Sequence, residues 1–565
     1  MAREGDRIDQ LVDQYLSDGL DRREFFKRAS ALGLSLGFAG TLLAGLDRGS
    51  VAHAATRRSA AVVGGTLREG YDRDVSRMDP VNTTWWDPGL YPATHETLVA
   101  TSPKGQFQPM LAKSWAVSKN GLEWMFTLRK GLKFQSGAVV TAAAVAAAMK
   151  TFADPKSGVN AGFWKPVKSI KAVGADKVKV TLSHPYADFP FVLNNGYSAI
   201  FNAPTRTKLG DKYGVTRTDG TGPFQLKELV PGSHAAVTRW DGYPGPGSPF
   251  VKNKGKAYLD GIRWEVLLEP AKRANELEAG NVDTLRNPAP QDVLRLKRNK
   301  NISVIELREP SLYLLGLNFK QTKLGFDDVR VRQAISYAID RNAIVKTVFF
   351  GKATPAYTLV PSSYPYYVKA VEKYGAFDTA KANQLLDAAG WNRSGGGVRS
   401  KNGQKLSFKI IIENDKFEQL IAQAVQQMLK DVGVDMQFTV LGSDYFSKFA
   451  APGGPTGYMI KNLWTNMMDA SILFAGSANA VPACCNASNA SIPALDKAFD
   501  DWQKAANVGQ LRGAAARAQL ITAQQLPFIP IVTPFVIWAH SKKVVGWVPN
   551  EANLYPYYND VYLQK

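Results

Sequence analysis

Along this chain the spacing of apolar positions changes repeatedly between two residues and three to four. Gly64–Gly70 opens as a short strand candidate, and Leu122–Leu128 alternates apolar and polar side chains before the turn Lys130-Gly131. Thr141 then stands where an N-cap belongs, ahead of an alanine-rich helix expected over Ala142–Phe152. Val178–Leu182 reads as strand, and the sharp turn Gly220-Thr221-Gly222-Pro223 precedes another over Phe224–Leu229. After a Pro/Gly-rich loop at 242–249, a strand is expected over Gly261–Leu268 and a helix over Pro270–Gly280. The second half predicts helices over Asp328–Phe349, Thr379–Gly390 and Phe417–Val432, with strands over Leu406–Ile412 and Val434–Val440. Strands alternating with helices throughout argue an α/β protein, and no fixed period of 20 to 50 residues marks a repeat array.

The N-terminal region follows a different rule. Asp21-Arg22-Arg23-Glu24-Phe25-Phe26-Lys27-Arg28 leads into fifteen weakly apolar residues, Ala31–Gly45, broken by four glycines. A spanning helix needs about 20 apolar residues, so this run is too short to cross a bilayer. Charge, apolar run and the small-residue pattern Ala52-His53-Ala54 read in order as an export signal of the twin-arginine kind, with Arg22 and Arg23 as the pair and cleavage after Ala54. No Cys follows the run, so a freely diffusing exported protein without a lipid anchor is expected, working in the periplasm.

Composition narrows the function. At 565 residues, 45% hydrophobic and 21% charged, the chain is too long for one core and should divide into two or three domains. Beyond Ala54 there are 62 Lys and Arg against 41 Asp and Glu. Such an excess suits an acidic ligand or an anionic surface, but the basic residues are scattered without interleaved aromatics, so no nucleic-acid partner is expected. The two cysteines, Cys484 and Cys485, are adjacent and could form a vicinal disulfide or remain two thiols; they are no disulfide framework.

Catalytic signals are thin. Histidines 95, 184, 234 and 540 show no metal-ligand spacing, and there is no nucleophile elbow, P-loop or dinucleotide fingerprint. Aromatic side chains do gather in loop-like stretches, at Trp85-Trp86, Tyr364–Tyr367 and Trp464, where each could grip a ligand or plug the edge of a core.

The order of segments resembles the family 5 extracellular solute-binding proteins, the peptide, opine and nickel receptors of ABC importers. The most specific block is Leu111–Gly137, with Ser114-Trp115, the strand at 122–128 and the turn Lys133-Phe134-Gln135-Ser136-Gly137. Supporting blocks are Gly220–Phe224, Asp328–Arg341, Phe377–Gly390 and the closing stretch Leu526–Gly546. This likeness implies a two-lobed periplasmic-binding-protein-like α/β fold with an extra subdomain in the first lobe. After the signal at 1–54, domain I would comprise 62–100, 220–312 and 535–565, domain II 101–219, and domain III 313–534. Ligand would be enclosed by hinge closure.

Carried over by position, the likeness puts Thr83, Trp85 and Trp86 on the first-lobe side of the cleft and Thr221 near the hinge. Thr533 is a further ligand-facing candidate, and Trp464, Asn466, Met467 and Asp469 form the second-lobe wall. Peptide receptors place an aspartate for the ligand's α-ammonium where this chain has Met467. A thioether cannot pair a buried ammonium, and Asp469 would stand about 6 to 7 Å away along a strand or loop. A ligand other than a free-N-terminus peptide is therefore preferred, with the two methionines as an adaptable apolar wall.

The expectation is a monomeric, non-enzymatic receptor with no cofactor or metal. It captures a small organic or peptide-like ligand and delivers it to a homo- or heterodimeric ABC permease with its ATPases, after export by the twin-arginine translocase. A nickel or metal-chelate receptor of the same fold, or a secreted hydrolase, are the rivals.

Overall fold

In the computed structural model, the sequence's alternating periods become one long mixed sheet and a smaller separate one. Described are residues 61–564 except 82–89, 103–105, 155, 157–158, 195–197, 309, 365, 394, 443, 464–466 and 550–554, and Glu24 alone from the first 60. Arg22, Arg23 and Ala54 lie outside that set.

The first principal elements are β1 (Thr66–Tyr71), β2 (Ala112–Val117), β3 (Glu123–Leu128), α1 (Ala142–Ala153), β4 (Val167–Val173) and β5 (Lys177–Leu182). The chain continues with β6 (Phe224–Val230), β7 (His234–Arg239), β8 (Gly261–Val266), α2 (Pro270–Glu278), β9 (Thr284–Arg286) and β10 (Ile302–Arg308). Strands β2 to β5 form an antiparallel four-stranded sheet in the order β2-β3-β5-β4. One face of it carries Trp124, Phe126, Val178 and Val180, which share a core with Val145, Met149 and Phe152 of α1. Helix α1 begins as expected: the Thr141 hydroxyl accepts the Ala144 N–H.

The second half contributes β11 (Ser311–Leu317), α3 (Val329–Ala338), α4 (Arg341–Thr347), β12 (Ala353–Pro355), α5 (Thr379–Ala388), β13 (Ser407–Glu413), α6 (Lys416–Asp431) and β14 (Asp435–Leu441). It ends with β15 (Gly457–Leu463), α7 (Met467–Ala475), α8 (Pro493–Gln503), α9 (Val508–Gln525) and β16 (Ile529–Ser541). The large sheet has the order β14-β13-β15-β11-β16-β9-β1-β8-β7-β6, with β10 and β12 also paired to β16.

Strand β16 joins the two halves of that sheet. Its C-terminal part, Phe535–Ser541, pairs with β10, and Trp538–His540 with β9. Its N-terminal part pairs with β11 and β12. The only break between β10 and β11 is the short connection from Arg308 to Ser311, and Arg308 is itself paired with Phe535. Two chain crossings thus lie side by side, each flanked by its own core: Leu67, Ile262, Trp264 and Trp538 on one side, Leu315, Ile335, Ile412 and Val425 on the other.

One expected element divides. The helix predicted over Asp328–Phe349 breaks at Ile339, whose backbone is extended, and restarts behind the Asp340 carboxylate, which accepts the Ala343 N–H. Arg341, 2% exposed, ties the break to the segments around it. Its guanidinium donates to the oxygens of Ser336 at 3.0 Å, Gly375 at 2.8 Å, and Ala356 and Pro530 at 2.9 Å. Apolar periodicity runs unbroken through this stretch, so the stop was visible only as an Asp at a position that can cap.

Candidate functional site

Residues 82–89, which hold Thr83, Trp85 and Trp86, are outside the described set, but both of their anchors are visible. On the N-terminal side Asp79 is fully buried and its Oδ1 accepts the Val81 N–H at 3.0 Å. Arg206 grips the same carboxylate through Nε, 3.1 Å from each oxygen, and through Nη2 at 3.0 Å. On the C-terminal side the Tyr91 hydroxyl donates to the Asp79 carbonyl at 3.0 Å. A bidentate guanidinium pair fixes direction as well as distance, so the described residues on either side of 82–89 are tied together. Asp79 and Arg206 are 127 positions apart, and nothing in the sequence announces the pair.

The turn Gly220–Pro223 packs onto Thr94 and His95. A Cβ on Gly220 would lie 2.2 Å from the Thr94 oxygen, and one on Gly222 would lie 2.6 Å from the His95 nitrogen, so only glycine permits this approach. Thr221 is 1% exposed, and its hydroxyl accepts the Glu96 N–H at 3.1 Å. It therefore fixes the backbone at Glu96. The Glu96 carboxylate accepts from the Tyr243 hydroxyl at 2.7 Å, and burial pushes its pKa up to about 7. His95 sits between the Thr94 and Tyr213 hydroxyls, and burial pushes its pKa down to about 3, which leaves a neutral, structural imidazole.

On the other side of the crossings, β15 ends at Leu463, and Trp464 and Asn466 are outside the described residues. The wall does not continue extended: helix α7 starts at Met467 and includes the backbone of Asp469, whose side chains are likewise outside the described set. This corrects the strand-or-loop geometry expected for the pair. Two residues along a helix rise about 3 Å rather than the 6 to 7 Å of an extended chain.

The far end of α7 is tied to the following loop, where the Asn486 side chain donates to the Gly476 carbonyl at 3.1 Å. Cys484 and Cys485 in that loop are joined as a disulfide. Near the C-terminal end of β13, burial and the Glu413 carboxylate push the Glu418 carboxyl up to about 9, while the Lys461 ammonium lies 5.9 Å from the centre of the Tyr313 ring.

Thr533 lies in β16 next to the crossing, in register with Thr354 of β12. It is 1% exposed, and its hydroxyl has no hydrogen-bond partner among the described residues. Buried hydroxyls are usually satisfied, so this one retains capacity for a group from outside the chain. Among the described residues no group of three His, Cys, Asp or Glu side chains is placed to hold a metal, and no helix is long and apolar enough to cross a membrane.

Comparison with known proteins agrees with this geometry. The glutathione-binding protein GsiB of Escherichia coli is 29% identical over 465 residues, covering 80% of this chain and 86% of its own. Among solved structures, the NikA protein of Brucella suis in complex with Fe(III)-EDTA superposes with a TM-score of 0.77 at 23% identity, over 88% of this chain and all of its own. The oligopeptide-binding protein AppA of Bacillus subtilis in complex with a nonapeptide gives 0.73 at 22% identity, over 89% of this chain and all of its own. The model of the bacterial extracellular solute-binding proteins, family 5 (middle region), matches residues 106–479, well over half of the sequence, and the chain belongs to that family.

Proposed function

We propose that this protein captures a small organic or peptide-like solute between the two halves of its large sheet and delivers it to an ABC-type importer. The observation that carries this reading is the double crossing at Arg308 and Phe535. It joins two separately cored bodies by two adjacent strands, with the buried Thr533 hydroxyl, unbonded among the described residues, beside it. Two-strand connections of this kind can act as a hinge.

In this reading domain I takes 62–100, 220–312 and 535–565, domain II 101–219 and domain III 313–534. Thr83, Trp85 and Trp86 face Trp464, Asn466 and Met467 across the cleft. The missing carboxylate at position 467 favours a ligand without an exposed α-ammonium. Arg22 and Arg23 direct export through the twin-arginine translocase, and cleavage after Ala54 releases the receptor into the periplasm.

Calorimetric titration of the mature chain tests the reading. The panel is glutathione, di- and tripeptides, a nonapeptide, an opine and nickel–histidine, with esterase and peptidase substrates alongside. Saturable binding of one organic solute without turnover is expected. Binding of only the nickel complex would replace the ligand class, and hydrolysis would replace the function.

A further inference from the structure

The small sheet offers a surface that ligand capture does not use. Residues 101–219 carry 17 Lys and Arg against 6 Asp and Glu, so about half of the mature chain's charge excess sits in less than a quarter of its length. While one face of β2–β5 packs on α1, the other is open. Met125, Lys179 and Lys171 lie opposite one another across three strands on that face, and the next row is Thr127, Lys177 and Val173. Its edge strand presents the small side chains of Ser114 and Ala116.

Lys171 and Lys177 are exposed, and no acidic side chain pairs with either among the described residues; Lys179 is bonded to Glu123 at 2.6 Å. Val173, 41% exposed, stands among the lysines. Four strands about 4.8 Å apart and some 20 Å long give a broad twisted patch. A broad basic face with an apolar side chain among its lysines matches an anionic array whose outer layer is charged and whose next layer is apolar.

We propose that the open face of β2–β5 docks this protein on an anionic phospholipid surface. The contact is electrostatic and reversible, and it leaves the ligand cleft free. It is independent of which solute the cleft takes.

Vesicle co-sedimentation of the mature chain tests this, using phosphatidylcholine alone or with about one-third phosphatidylglycerol, at low and high salt. Binding to the anionic vesicles at low salt, lost at high salt and absent on phosphatidylcholine, is expected. Lys171→Glu/Lys177→Glu should weaken it at least tenfold with thermal unfolding unchanged. The control Lys300→Glu/Lys323→Glu, with the same change in net charge at exposed positions elsewhere, should retain most of it. Equal losses in the two variants would overturn the face in favour of net charge alone. No binding to anionic vesicles, or binding only to a soluble polyanion such as polyphosphate, would overturn the membrane. Should the face variant unfold, Lys171→Gln/Lys177→Gln provides the same comparison with the fold kept.

Discussion

Thr533 shows how a single side chain separates a structural role from a ligand role. Its hydroxyl is buried at 1% exposure and bonds to nothing among the described residues, so removing it should cost no stability. Thr533→Val is expected to melt at or slightly above the wild-type temperature while ligand affinity falls about five- to tenfold, the worth of one net hydrogen bond. Calorimetry of unfolding and of binding on the same samples reads both; unchanged affinity would remove Thr533 from the site. At position 467 the expected change has the opposite sign. Met467→Asp should improve binding of simple free-N-terminus peptides, and titration of both proteins with a peptide series would show it. The aromatic partner is expected to matter more: Trp464→Ala should fold and lose roughly 2 to 4 kcal/mol of binding, as interface hot spots do. Trp85, Trp86 and Trp464 stood out as aromatics in loop-like sequence, whereas the other candidate residues were readable only through family likeness. Their supports, Asp79 with Arg206 and Glu96 with Tyr243, had no local signature because each pair joins distant segments.

Elements were far more legible than residues. Helix α1 with its Thr141 cap, α6, and the strands at 123–128 and 177–182 match their expected ranges within a residue or two, because amphipathic period and capping are local properties. The helix expected over 328–349 failed where tertiary packing intervened, at the break that Arg341 stabilises. That guanidinium donates to carbonyls from four separate segments, and burial lowers its pKa to about 10, still charged at neutral pH. Arg341→Met would remove the guanidinium from those oxygens, of which Ser336 keeps the Ile339 N–H, at about 1 to 3 kcal/mol for each one left without another donor or water. Urea denaturation should show a loss of about 3 kcal/mol or more, and Arg341→Lys should recover only part, since an ammonium cannot reach the same directions. A loss below about 1 kcal/mol would mean the break is held by Asp340 alone.

For the whole molecule, the informative contact is the Ala187 N–H donated to the Ala505 carbonyl at 2.8 Å, between the small-sheet region and the α8–α9 turn. Next to it Asp188 is buried, and burial pushes its carboxyl from the ordinary 3.8 up to about 7. Tyr366 faces it, with the Arg512 guanidinium 5.7 Å from the Tyr366 ring centre. In the two-lobed reading proposed above, where this contact forms on closure, the Asp188 carboxyl takes up a proton as the lobes meet. Closure is then strongest below about pH 4 and weakens as pH rises to about 7, by at most tenfold in affinity per pH unit. Asp188→Asn should flatten that slope; titrations between pH 5 and 8 decide it, and an unchanged slope would place the proton elsewhere.

The amino-acid sequence by itself determined the alternation of strands and helices, the turn glycines at 220 and 222 and the charge excess. Those features follow from neighbouring residues and from composition. Tertiary structure decided which strands became partners across hundreds of positions, that β16 and the β10–β11 connection cross side by side, and that α7 rather than an extended wall begins at Met467. It also laid the Lys171, Lys177 and Lys179 side of one hairpin beside Met125 and Thr127 on an open sheet face. Local periodicity sets which face of an element is apolar, whereas the partner for that face, and the charges left on the opposite one, are fixed only by long-range packing.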